Sequence, residues 1–156
     1  MIYYLIASIL IAVAALFART KRAVLAAGIL FYAVQIAAAG LLLWGGLYDT
    51  TSAAFFTFDA LGTLFYLLLV VVSMYVFGHS EAYLQGEDLR SYRLYFALLM
   101  LLTTAIAGAY FANNLAVTWI FLEATTLCSA GIIYHRRTAQ ALEAAWKYVF
   151  VCSTGI

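Results

Sequence analysis

The sequence predicts an all-α fold, a polytopic bundle of transmembrane helices with five full helices plus a sixth and the N-terminus outside. Three observations predict it. Hydrophobic residues make up 67% of 156 and charged residues only 10%, where a soluble domain carries about 25% charged residues. The mean hydropathy is +1.02. The apolar residues fall into runs of the length a bilayer needs, roughly 17–25 residues, and the chain contains no proline to break them. The net charge of +1 includes no basic patch large enough to track phosphates, so nucleic acid is excluded as a partner and the lipid bilayer takes its place.

The first run, Ile2–Ala18, has nothing charged before it and Arg19, Lys21 and Arg22 after it. A signal peptide has the opposite order, so this is a retained helix. Ala23–Leu47 is the second run. The third, Ala60–Phe77, opens on Asp59, an acid suited to the positive end of the helix dipole. Leu94–Ala112 and Leu115–Tyr134 are the fourth and fifth. The sixth begins near Ala139, carries two charges, and is still apolar at Ile156. No anchoring charge follows it, so the expectation is a piece of a longer polypeptide or half of a split subunit.

Loop charge sets the orientation. The first, third and fifth loops hold Arg19, Lys21 and Arg22, then Arg90 and Arg93, then Arg136 and Arg137. The second loop, around YDTTSAAFFTFD, and the fourth, at Asn113 and Asn114, hold none. Lys and Arg favour the cytoplasmic side, so the odd loops are inside. Trp44, Tyr48, Tyr83, Tyr110 and Trp119 are placed as interfacial belt residues. The whole chain, 1–156, reads as one transmembrane domain, with the first three helices over 1–84.

The candidate site residues are the ionisable groups inside hydrocarbon: Glu123, Glu143 and Lys147. A charge at a helix centre costs about 2.5–3.5 kcal/mol, so such residues face protein or water and serve ion pathways by default. Glu123 lies mid-run in WIFLEATTLCSAG, residues 119–131. Thr126 and Ala130 share its face, which is small and partly polar and fits a close helix contact or a file of water. Glu143 and Lys147 are four apart with the acid first, the favourable order for a helical ion pair. Counted from a hairpin turn at Arg136–Arg137, Glu123 and Lys147 differ in depth by roughly 4–5 Å, so a shared hydrated path is one expectation and a static ion pair the other.

His79 and His135 lie toward the inner surface and are candidate proton-uptake groups, with ordinary interfacial histidines as the alternative. Cys128 and Cys152 have no ligand spacing and read as small buried side chains. No phosphate-binding loop, metal-ligand cluster or nucleophile triad occurs, so no catalytic, cofactor or metal residue is assigned.

Residues 113–156 carry a more specific pattern: NNL, then WxxxEATTL, then the RRT turn, then LEAAWKY followed by CSTGI. This resembles the antiporter-like membrane subunits of respiratory complex I and group 4 membrane-bound hydrogenases, most nearly the hydrogenase-4 component F and NADH dehydrogenase subunit 5-like branches. FTFDALG fits the family's third-helix start more loosely. The resemblance implies that Glu123 is the proton-channel acid and that Lys147 is the sixth-helix lysine, while the acid's principal lysine partner sits on a broken seventh helix beyond this chain. Residues 94–156 would open the first of two inverted repeats.

The expectation from the resemblance is a proton-translocating subunit, with sodium as the lesser choice of ion, in the cytoplasmic membrane of a bacterium or archaeon. The complex would be a membrane-bound hydrogenase, formate hydrogenlyase or NADH dehydrogenase. Nickel–iron and iron–sulfur centres or flavin would sit in partner subunits, with none in this chain. Its partners would be other membrane subunits, a peripheral redox arm and a chain supplying the later helices. The rival readings are a non-conducting structural subunit anchoring the redox arm and an independent small cation transporter.

Overall fold

The computed structural model describes residues 2–44, 55–84 and 86–155. The described residues form six α-helices: α1 (Ile2–Leu16), α2 (Lys21–Trp44), α3 (Ala60–Tyr83), α4 (Leu89–Phe111), α5 (Leu115–Ile133) and α6 (Ala139–Gly155). A three-residue 3-10 turn, Tyr134–Arg136, joins the last two. Among the described residues, four spans are long and apolar enough to cross a membrane: α2, α3, α4, and α5 continued to Arg136. At 15 and 17 residues, α1 and α6 are shorter. This is a multi-pass membrane bundle.

Several helix ends differ from the apolar runs. α3 continues past Phe77 to Tyr83 and α4 starts at Leu89, before Leu94. The intervening Gly78–Tyr83 and Leu89–Arg93 are polar enough to leave hydrocarbon, yet their backbones still bond internally, so the helices extend into the interface. α1 stops at Leu16, short of Ala18. The second loop falls mainly outside the described residues, as do Gly45–Leu47 at the expected end of the second run and Tyr48 from the expected aromatic belt.

Side chains start the helices where the sequence changes from loop to apolar run. Thr20 Oγ1 accepts from the Ala23 amide at 3.2 Å, Asp59 Oδ1 from Gly62 at 3.1 Å, Asn114 Oδ1 from Ala116 at 2.8 Å and Thr138 Oγ1 from Ala141 at 3.1 Å. Each satisfies an amide that has no partner within its helix. Asp59 therefore has the helix-capping role expected of it. At the turn before α6, Arg137 takes the left-handed conformation, φ 54°.

The bundle's two ends are chemically distinct. At one, the basic loops converge: Lys21 Nζ donates to the Glu87 carbonyl at 2.8 Å, Arg93 to the Ala18 carbonyl at 3.0 Å, and Arg136 pairs with the Glu87 carboxylate at 3.0 Å. At the other, Phe55–Thr57 bridges to Phe111–Asn113 through backbone bonds of 2.9 Å, and no Lys or Arg occurs. The alternation of loop charge is thus a real separation of the molecule's ends, and by the positive-inside rule the basic end is the inner one.

α4 is the central helix. Phe96 is fully buried and its ring meets Phe77, Tyr92 and Tyr95 at 4.7–5.7 Å. Gly28 lets Phe77 approach α2, since a Cβ there would sit 2.1 Å from the ring. Nearer the other end, Gln35 on α2 is buried and accepts from Tyr4 at 2.5 Å and Tyr66 at 2.7 Å, which ties α1, α2 and α3 together with a buried polar node.

Candidate functional site

α5 packs along α4 through glycines. A Cβ at Gly108 would lie 2.4 Å from the Phe121 ring, and one at Gly131 would lie 2.7 Å from Leu98 Cδ1. These two contacts fix an antiparallel register: where Gly108 meets Phe121 and Leu98 meets Gly131, Thr103 falls level with Thr126 and Ile106 with Glu123. Thr103, Thr104 and Thr126 are all buried, and their hydroxyls donate to carbonyls of their own helices.

Thr126 and Ala130 are the buried residues of α5. At about 100° per residue, Glu123 lies close to the same stripe, and it is half-buried. The small, partly polar face expected around Glu123 is therefore the face that meets the bundle. Among the described residues, no ion pair or hydrogen bond engages the Glu123 carboxylate.

α6 presents its other charges differently. Ala145 is its buried residue, and Glu143 and Lys147, each two positions from it, lie on roughly the opposite side of the helix. They pair with each other, Lys147 Nζ to Glu143 Oε1 at 2.5 Å, and both are largely exposed. The structure brings this expected i, i+4 pair together; Lys147 is bonded to Glu143 and not to Glu123.

The two histidines share one pocket at the basic end. Its lining is Tyr75, Val76, His79 and Ser80, then Tyr83, Tyr95, Ile132 and His135. His79 is exposed and stacks on Tyr75. His135 is buried, its Nδ1 is 2.7 Å from the Ile132 carbonyl, and its Nε2 has no hydrogen-bond partner among the described residues. Because a carbonyl only accepts, Nδ1 carries the proton in the neutral ring and Nε2 presents a lone pair. Tyr95 and Tyr83 stand around the ring at 5.4 and 6.3 Å. The Ser80 and Tyr95 hydroxyls are 3.1 Å apart.

The sequence reading missed Ser80 and Tyr95, and it placed Tyr83 only in the aromatic belt. No spacing in the sequence relates them to His135, because they come from α3 and α4. Cys128 and Cys152 are free and only half-buried, more open than expected. Among the described residues, no cluster of metal-ligating side chains occurs.

Compared with curated proteins, the chain is similar to a hydrogenase-4 component F homolog from Methylacidiphilum infernorum (isolate V4). The two are 28% identical over 109 residues, which is 66% of this chain and 23% of the relative. The chain thus spans about a quarter of that relative's length. No family model matches, and no solved structure does.

Proposed function

We propose that this chain is a proton-translocating, antiporter-like membrane subunit of a redox-driven complex in the cytoplasmic membrane of a bacterium or archaeon. The complex is of the membrane-bound hydrogenase, formate hydrogenlyase or NADH dehydrogenase kind. The similarity to a hydrogenase-4 component F homolog supports the kind of complex. Its redox centres belong to partner subunits, and this chain supplies part of the ion path.

One observation carries the reading. Glu123 is a half-buried carboxylate at mid-helix, on the face α5 turns to the bundle, with no partner among the described residues. A carboxyl group at the centre of a spanning helix is costly, so it faces protein or water and serves an ion pathway by default. Glu143 and Lys147 lie on the far side of α6, largely exposed and paired with each other.

A non-conducting structural subunit is the second reading, and the mutual satisfaction of Glu143 and Lys147 favours it. One experiment separates the two. Glu123→Gln keeps the shape but cannot ionise, so it should leave complex yield nearly unchanged while abolishing proton translocation coupled to the redox reaction, and Glu123→Asp should be partly active. Normal translocation by the Gln variant would support the structural reading and sink the proposal.

A further inference from the structure

α2 opens on Lys21 and Arg22, at the positive end of the helix dipole, where an acid is the stabilising side chain. α3 has such an acid in Asp59, which bonds to the Gly62 amide. α2 has none in its first turn. Arg22 and nearby Arg19 are exposed, and among the described residues neither has an ion pair or hydrogen bond. Lys21 differs, since it bonds to the Glu87 carbonyl and lies over the Tyr92 ring. Two cations without an anion thus stand at the inner end of α2.

The surface that continues from Arg22 is apolar. Ala26, Ile29, Ala33 and Ile36 follow at helical spacing, so they share its face, and all are exposed. Ile29, Ala33 and Ile36 line a groove of about 360 Å³ together with Met74 and Gly78 of α3 and the rings of Tyr32 and Phe77. The one side-chain hydroxyl in that lining is already bonded, Tyr32 to the Ser73 carbonyl at 2.9 Å. A Cβ at Gly78 would meet nothing within 4 Å, so no described side chain fills the notch there. Ile29 and Ile36 are seven and fourteen residues past Arg22, about 10 and 21 Å along the axis. The groove thus runs from below the headgroups to about the middle of a bilayer whose core is about 30 Å thick.

We propose that this is a binding site for one anionic phospholipid of the inner leaflet, with its phosphate on Arg22 and Arg19 and an acyl chain in the groove. The guanidinium presents a fixed fork of donors that matches a phosphate, and the positive end of α2 adds to its charge. Anionic lipids of the cytoplasmic leaflet attract basic residues at the surface, and this end of the bundle lies on that side. A free phosphate would use the arginines and leave the apolar groove bare. A partner's apolar helix would fill the groove and leave both arginines without an anion. A phospholipid satisfies both. None of the site's residues belongs to α5 or α6, so the inference stands apart from the reading of Glu123.

The test uses the assembled complex, purified in detergent, with native mass spectrometry counting the phospholipids that stay bound. Arg22→Gln and Gly78→Leu should each lose one anionic phospholipid relative to the wild type. Combined, they should lose no more than either alone, because both changes strike one site. The Gly78→Leu side chain enters space that no described atom occupies, so it fills the groove without displacing protein. When the delipidated complex is titrated with dioleoyl phosphatidylglycerol, Arg22→Gln should weaken uptake at this site about fivefold. The Arg19→Gln, Arg22→Gln double variant should weaken it about twenty-five-fold, given what one basic residue contributes near an anionic surface. Retention of the lipid by either single variant would overturn the proposal. Equal uptake of dioleoyl phosphatidylcholine would show a groove for any acyl chain, and displacement by inorganic phosphate would show a free-anion site; each overturns it. A lower complex yield in Gly78→Leu with an unchanged lipid count would put a partner's helix in the groove and overturn it as well.

Discussion

The α1–α4 bundle and the α5–α6 hairpin are made of the same apolar residues, yet they are built differently. In the spanning window of α4, 56% of residues are buried, whereas in that of α5 only 6% are. The bundle is closed by aromatic rings meeting around Phe96 and by the Gln35 node. The hairpin meets its neighbours through Gly, Ala and Thr, and it carries Glu123, Glu143 and Lys147. Lipid gives no hydrophobic drive between helices, so close packing and polar contacts decide association. The difference teaches that the intramembrane charges are kept out of the region that holds the fold together. The α5–α6 hairpin carries them instead.

Substitutions can break or sharpen that contrast. The largest effect should come from Phe96→Ala, which empties the centre of the bundle. A buried Phe→Ala change costs about 3–5 kcal/mol, and unfolding in mixed micelles should shift accordingly. Next is Gly108→Ala at the junction of the two regions. Its Cβ would meet the Phe121 ring at 2.4 Å, and overpacking of this kind costs about 1–3 kcal/mol; the hairpin should loosen while α1–α4 stays folded, which cysteine cross-linking between α4 and α5 would detect. Asp59→Ala removes the cap of α3 and should cost about 1 kcal/mol, read from the same micelle titration.

The smallest effect on the fold should follow Lys147→Ala. The pair it breaks is largely exposed, so the loss within this chain should stay under about 1 kcal/mol. If the proposed complex covers this face of α6, its yield should fall more, because Glu143 is then left buried and unpaired. Adding Glu143→Gln to the same chain should restore that yield. If Lys147→Ala instead unfolded the chain as Phe96→Ala does, the distinction between closed bundle and hairpin would be wrong.

The fold was legible because the apolar run length and the loop charges are chemical facts of the sequence, and both survive folding. The ends of α3 and α4 were not, since Gly78–Tyr83 and Leu89–Arg93 leave the apolar run without leaving the helix. Glu123 and its face with Thr126 and Ala130 could be read from spacing alone. The direction of Glu143 and Lys147 could not, because two positions beside Ala145 reverse the face and only packing decides that Ala145 meets α5. The burial of His135 was equally hidden: its walls, Tyr83 and Tyr95, arrive from helices forty or more residues earlier in the chain.

The central claim is that the Glu123 carboxyl changes its protonation as the complex turns over. Infrared difference spectroscopy on the assembled complex, with and without redox drive, reads this directly from the carbonyl stretch of a protonated carboxylic acid. The account predicts a carboxylic-acid band that changes with turnover in the wild-type complex and vanishes in Glu123→Gln. The same turnover-dependent band persisting unaltered in Glu123→Gln, or no such band in the wild type, would contradict it.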